Sequence, residues 1–324
     1  SPLYALGFPH LRGNRKHFAV FLRYILYFSI GDNRMRDYVI ITDSCCDLSE
    51  QLANDAGLYV IPMVMTISGK EYKNYLDERE ISSKAFYDRL RAGETASTSA
   101  LNMDTFLSVF GEFLEQGKDI LYLAFSSGLS GTYHVSTLAA EELAQKYPES
   151  RIFCCDTLCA SMGEGLLVYL AGKKKQSGAS IEEVRDFVEQ NKLNLCHWFT
   201  VDDLNHLKRG GRVSATTAFV GSLLNIKPVL HVDDEGHLIN VGKARGRRAA
   251  VSSLFEHMKE TAVNPSEQTV FISHGDCEED ALALKEMIEK EFSPKEIQIN
   301  PIGPVIGAHS GPGTLALFFL GSKR

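Results

Sequence analysis

Residues 119–147 read "DILYLAFSSGLSGTYHVSTLAAEELAQKY", and "RIFCCDT" follows at residues 151–157. The first seven residues are a short apolar run stopped by serines and glycines, which predicts a buried strand ending in a turn. Residues 133–147 space their apolar positions as a helix does, and residues 151–157 return to a strand pattern. A strand, a polar turn, a helix and a second strand in that order predict parallel neighbours joined by a helical crossover.

The same unit recurs on both sides. "YVIIT" (38–42) runs into "DSCCDLS" (43–49), where Asp and Ser suit the cap of a helix over "SEQLANDAG" (49–57). "LYVIPMVMTI" (58–67) reads as one further strand, and "SSKAFYDRLRAG" (82–93) as a helix closed by Gly93. Helices are also expected over 105–117 and 163–178. The expected fold class is therefore α/β, with a parallel-sheet N-terminal domain covered by flanking helices. In such sheets ligands bind beyond the carboxyl ends of the strands. Three polar turns, "TDSCCD" (42–47), "SSGLSGT" (126–132) and "CDTLCAS" (155–161), should share that rim.

From residue 195 the texture changes. "CHWFTVDD" (196–203), "KPVLHVDDEGHLINVGKARG" (227–246), "TVFISHGD" (269–276) and "EIQINPIG" (296–303) are strand-like, and Asp234-Glu235-Gly236 marks a hairpin. A second α/β domain with a mostly antiparallel sheet is expected over 195–324, after a first over 37–194, with room for segment exchange between them. Residues 1–36 read as an extension with Met35 as a natural start. Their apolar stretch "HFAVFLRYILYFSI" (17–30) contains Arg23 and is shorter than the roughly 20 residues a membrane helix needs.

Composition narrows the function. A chain of 324 residues with 44% hydrophobic residues can fill two cores. Its formal net charge of -7 argues against nucleic acid as a partner, and stable membrane insertion is not expected. Seven cysteines, with Cys45/Cys46 and Cys154/Cys155 adjacent, do not resemble a secreted disulfide framework, so a reducing cytoplasm is expected. Cys154, Cys155 and Cys159 lack the spacing of a zinc site. The pairs Asp202/Asp203 and Asp233/Asp234 read as turn and surface residues. No metal and no cofactor are expected.

Chemistry then concentrates in the hydroxyl-rich turns. A nucleophilic serine on a strand-to-helix elbow needs Gly-x-Ser-x-Gly, but Ser130 sits in Gly128-Leu129-Ser130-Gly131-Thr132. Neither a phosphate-binding Gly-x4-Gly-Lys-Ser/Thr loop nor Gly-x-Gly-x-x-Gly is present. Hydroxyls and amide hydrogens at a helix start can instead cradle an anion. "ASTSALN" (96–102) supplies Ser97, Thr98 and Ser99 ahead of a helix expected near Met103. In both clusters one oxygen is expected to cap the helix and another to remain for a ligand. "KARGRR" (243–248) is a local basic patch on an acidic chain. "LKRGGR" (207–212) places Lys208, Arg209 and Arg212 on a tight turn, suited to an acidic partner or a phosphate.

"ITDSCCDLS" (41–49), "STSALN" (97–102), "SSGLSGTY" (126–133), "VDDLNHLKRGGRVS" (201–214), "GSLLNIKPVL" (221–230) and "GPVIGAHSGPGT" (303–314) together resemble the DegV family of bacterial fatty-acid-binding proteins. The resemblance covers about residue 37 to the end. It implies a two-domain protein holding one long-chain fatty acid as its ligand, the carboxylate bound by Thr98 and Ser130. The sequence has Ala100 and Leu101 where glutamine and proline are common in the family. In relatives that serve a fatty acid kinase, Arg245 and His309 match residues near the head group, His309 in a glycine-rich loop. Ser99 and Ser44 are further candidates for head-group or phosphate contacts, and Arg209 and Arg212 for docking the kinase.

The resemblance thus implies a lipid carrier that presents the acid to an ATP-dependent kinase. The alternative is an enzyme acting on a small anionic metabolite in the same cleft, with His309 as base. Burying roughly 15 methylenes at about 0.8 kcal/mol each gives a gross term near 12 kcal/mol. Hydrogen bonds to a charged head contribute only about 1.5 to 3 kcal/mol each. The tail should therefore set affinity and the hydroxyls orientation.

Overall fold

In this computed structural model, residues 36–213 and 225–324 are described. The extension assigned to residues 1–36 lies, apart from Arg36, outside them, as do parts of the motifs at 201–214 and 221–230.

Four parallel strands form the first sheet, in the order β2-β1-β6-β7: β1 (Tyr38–Asp43), β2 (Leu58–Ile61), β6 (Asp119–Ala124) and β7 (Ile152–Asp156). β1 and β6 are buried along their whole length, as near-continuous apolar runs require when helices cover both faces. The helices are α1 (Glu50–Asp55), α2 (Ser83–Arg91), α3 (Met103–Glu115), α4 (Thr132–Lys146), α5 (Met162–Gln176) and α6 (Ile181–Asn191). Ser49 caps α1 by accepting from the Leu52 N–H, and Asp43 caps the tight 3-10 turn at Ser44–Cys46.

Register aligns the carboxyl ends of these strands. Asp43 faces Ile61, and Ala124 faces Asp156, with β1 and β6 in step between them. The three expected polar turns therefore emerge on one rim.

"LYVIPMVMTI" differs from the sequence reading. Pro62 interrupts it, so Leu58–Ile61 joins the parallel sheet while β3 (Val64–Ile67) starts a separate antiparallel one. That sheet has the order β4-β3-β5, with β4 (Lys70–Lys73) and β5 (Ala96–Ser99). The "STS" segment is thus an edge strand, with Thr98 opposite Met65. The expected hydroxyl cap is absent there, because Asn102 caps α3 by accepting from the Thr105 N–H.

Leu195 opens β8 (Leu195–Thr200), the first strand of a six-stranded sheet in the order β10-β9-β8-β13-β11-β12. β9 (Ile226–Val232) and β10 (Leu238–Arg245) form the expected hairpin around Asp233–His237, and β11 (Thr269–His274) lies between β12 (Glu296–Pro301) and β13 (Leu315–Leu320). All pairings here are antiparallel except β11 with β12. The remaining helices are α7 (Asn205–Arg209), α8 (Arg247–Thr261), α9 (Glu278–Phe292) and α10 (Pro304–Ser310).

Asp37–Arg324 packs as one compact unit. Ile302, Val305 and Ala308 belong to the apolar core built by residues 39–143. The Tyr87 hydroxyl donates to the Ile302 carbonyl (2.9 Å), and the Gly303 N–H donates to Asp47 Oδ1 (2.9 Å). α10 is thereby delivered to the rim of the parallel sheet.

Candidate functional site

A cavity of about 170 Å³ opens where that rim meets the six-stranded sheet. Phe125 and Leu129 enter it from the turn after β6, Phe199 from β8, Leu238 from β10, Phe318 from β13 and Val305 from α10. The alternation of a strand supplies the sheet wall: Phe199 faces the cavity while Trp198 stacks on His257 on the other side.

Polar side chains share this wall. Thr98, Ser99, Ser130, Arg212 and His309 all line this cavity. Thr98 Oγ1 lies 2.7 Å from His309 Nε2. Ser130 Oγ lies 3.0 Å from Thr132 Oγ1 and accepts from the Thr132 N–H (3.3 Å), while Gly131, not a hydroxyl, occupies the N-cap of the 15-residue α4. The partial positive charge of that helix start, roughly half an elementary charge, lies under Ser130 and Gly131.

The serine turn is held in place by the β9–β10 hairpin. The Ser126 hydroxyl donates to the Gly236 carbonyl (2.8 Å) and accepts from the Gly128 N–H, and Asp156 accepts from the Ser127 N–H. A Cβ on Gly128 would come within 2.8 Å of the Glu235 carbonyl oxygen, so only glycine lets the turn and the hairpin meet.

His309 sits in the last turn of α10 rather than in a loop, because Pro304 suits the first turn of a helix and Gly311, with φ of 79°, ends it. Burial, and then the nearby Arg212 guanidinium, lower its pKa to about 4. The ring is therefore neutral, and with Nε2 protonated it donates to Thr98 Oγ1, freeing the threonine hydroxyl to donate onward. His309 Nδ1 is buried without a hydrogen-bond partner and faces the Gly210 backbone. Arg212 Nε donates to the Leu129 carbonyl (3.0 Å) and its Nη1 to the Gly210 carbonyl, which fixes the guanidinium beside the serine turn.

A second cavity of about 420 Å³ shares Thr98, Arg212 and His309 with the first and adds His206, Arg209 and Glu94. Arg209 is exposed there and reaches His206 Nδ1 (2.9 Å). The site thus combines apolar walls with Thr98, Ser130, His309 and Arg212, while Arg209 lies in the adjoining cavity.

A family profile described as "Uncharacterised protein, DegV family" matches residues 37–322. This chain belongs to the DegV family. It is 50% identical over 290 residues, 90% of this chain and 99% of the other, to a DegV domain-containing protein of Clostridium perfringens. A DegV protein of Thermus thermophilus, described by its fatty acid binding, superimposes with a TM-score of 0.79 at 31% identity over 87% of this chain and 98% of its own. DegV of Bacillus subtilis, described as a fatty acid binding protein, gives a TM-score of 0.76 at 27% identity over 87% and 98%.

In this DegV chain two residues singled out from sequence stand apart from the cavities. Ser44 is buried under the first turn, where its hydroxyl accepts from the Met63 N–H (3.0 Å). Arg245 is exposed at the end of β10, the sheet's edge strand, opposite Ile226. Sequence reasoning missed Ser161 and Ser310, which also line the main cavity. Ser161 lies in "CDTLCAS", a turn already placed on the rim, but its φ of 52° and its bond to Asp47 Oδ2 (2.6 Å) depend on residues far away in the chain.

Proposed function

We propose that this protein binds one long-chain fatty acid, its tail in the apolar cavity and its carboxylate on Thr98 and Ser130. The observation that carries this is a cavity lined by Phe125, Leu129, Phe199 and Phe318 that also presents Thr98, Ser130 and His309, with Thr98 Oγ1 2.7 Å from His309 Nε2. His309 acts as a positioning residue: its Nε2–H holds the Thr98 oxygen so that the threonine proton points at the carboxylate. The description of the Thermus thermophilus relative by its fatty acid binding supports the same reading. We further propose that the acid is presented to an ATP-dependent fatty acid kinase. Arg209 and Arg212, around the cavity that adjoins the head-group end, are the cations an acidic partner or an incoming phosphate would meet.

No observation favours the reading in which His309 is a catalytic base for a small anionic metabolite. A pKa of about 4 makes it a weak base, and among the described residues no carboxylate pairs with Nδ1 to stabilise an imidazolium.

Native mass spectrometry of protein expressed in a bacterium tests the reading directly. The expected spectrum shows one co-purifying long-chain acid per chain. Thr98→Ala and Ser130→Ala, each losing a charge-assisted hydrogen bond, should weaken acyl binding about tenfold to a hundredfold while the fold persists. Full affinity in both variants, or a chain that neither carries nor binds acyl chains, would overturn the reading.

A further inference from the structure

Ser310 follows His309 on α10 and lines the main cavity. It is only 6% exposed, and its Oγ is buried without a hydrogen-bond partner. The other buried or half-buried hydroxyls on this cavity wall are engaged: Thr98 with His309, Ser130 with Thr132, Ser161 with Asp47, and Thr314 with the carbonyls of Ser310 and Gly311. A serine inside a helix usually turns its hydroxyl back to the carbonyl four residues earlier, but Ser310 Oγ makes no such bond to Ile306. An unsatisfied buried hydroxyl costs about 1 to 3 kcal/mol, a cost that a polar group on a ligand would remove.

The place of Ser310 in the chain says where on the ligand that group belongs. Consecutive Cα atoms are about 3.8 Å apart and both residues line the cavity, which brings Ser310 to the part of the wall next to His309 and the proposed head-group site. A serine has a single χ1 with three staggered wells, so its hydroxyl can turn to a partner at that level. Building on the fatty-acid reading above, we propose that Ser310 is a specificity-determining residue that selects long-chain acids bearing a hydroxyl or oxo oxygen on the second or third carbon.

The test compares hexadecanoic acid with its 2-hydroxy, 3-hydroxy and 12-hydroxy derivatives, binding to delipidated wild-type protein, Ser310→Ala and Ser310→Thr. The 2-hydroxy or 3-hydroxy acid should bind wild type more tightly than the 12-hydroxy acid does. Ser310→Ala should reduce that preference about fivefold, taken relative to hexadecanoic acid on the same variant, and Ser310→Thr should retain it. An unchanged preference in Ser310→Ala, or an equal gain for the 12-hydroxy acid, overturns the assignment of Ser310 while leaving the fatty-acid reading intact. Failure of all four acids to bind any variant overturns both.

Discussion

His309 is held from two directions, by Thr98 at Nε2 and by the Gly210 backbone at Nδ1. A Cβ at residue 210 would lie 2.3 Å from Nδ1, inside any permitted contact, so Gly210→Ala must push the imidazole off Thr98. Acyl affinity should then drop about tenfold or more, as in Thr98→Ala, although residue 210 does not line the main cavity. Gly111→Ala, on α3 and outside both cavities, is the matched control, because open space surrounds its Cβ position. Isothermal titration of both variants with hexadecanoic acid separates the two outcomes. His309 also gives a pH signature. It is neutral in the fold down to about pH 4 but takes up a proton near pH 6.5 in the unfolded chain. Its contribution is complete above pH 6.5 and is lost as pH falls toward 4, on the order of 3 kcal/mol in all. His309→Gln should flatten that part of the denaturation profile.

At the scale of elements, Asp47 ties three segments together. It bonds Ser161 at the start of α5 and the Gly303 N–H ahead of α10, and its carbonyl accepts from Asn300 at the end of β12. Burial raises its pKa to about 7, with Asp43 adding to the rise. The unfolded side chain ionises near pH 3.8, so the folded state binds the extra proton between there and about pH 7, and stability falls as pH rises through that range. Asp47→Asn keeps an acceptor for Gly303 and removes the proton. Its stability, read by urea unfolding, should therefore rise with pH more steeply than that of the wild type. An identical slope in both would rule out this role for Asp47.

Elements also show how far the sequence could be read. The buried runs of β1, β6 and β8, the α4 and α5 helices and the β9–β10 hairpin follow from apolar patterning and turn chemistry alone, and the rim follows from strand direction. The split at Pro62, the pairing of "ASTS" as strand β5 and the short helix carrying His309 were not legible, since each depends on a partner distant in the chain. Thr98, Ser130 and His309 came from resemblance to a family and not from pattern. Periodicity does not distinguish a hydroxyl that caps a helix from one that faces a cavity. Ser161 and Ser310 carry no motif of their own, and only the assembled wall brings them together.

For the whole molecule, a cavity walled by side chains from the six-stranded sheet and from the rim turns of the parallel one predicts an affinity governed by tail length. Each methylene contributes about 0.8 kcal/mol, so dissociation constants should fall about fourfold per added carbon until the tail reaches the end of the cavity. A series of saturated acids measured against one protein preparation checks this, and an affinity independent of chain length would place the tail elsewhere. Bound acid should also raise the melting temperature in proportion to the logarithm of its free concentration, since it binds only the folded form.

The pairing of Thr98 with His309 spans 211 positions, and that of Tyr87 with Ile302 spans 215. Contacts of such separation, like those of Asp47 with Asn300 and Gly303 at 253 and 256 positions, close very large loops and are costly to form early. During synthesis, Thr98 leaves the ribosome long before residues 302–310 can reach α2 and β5. Its hydroxyl waits without the imidazole until they arrive, so the proposed head-group cradle cannot be completed by the N-terminal half alone.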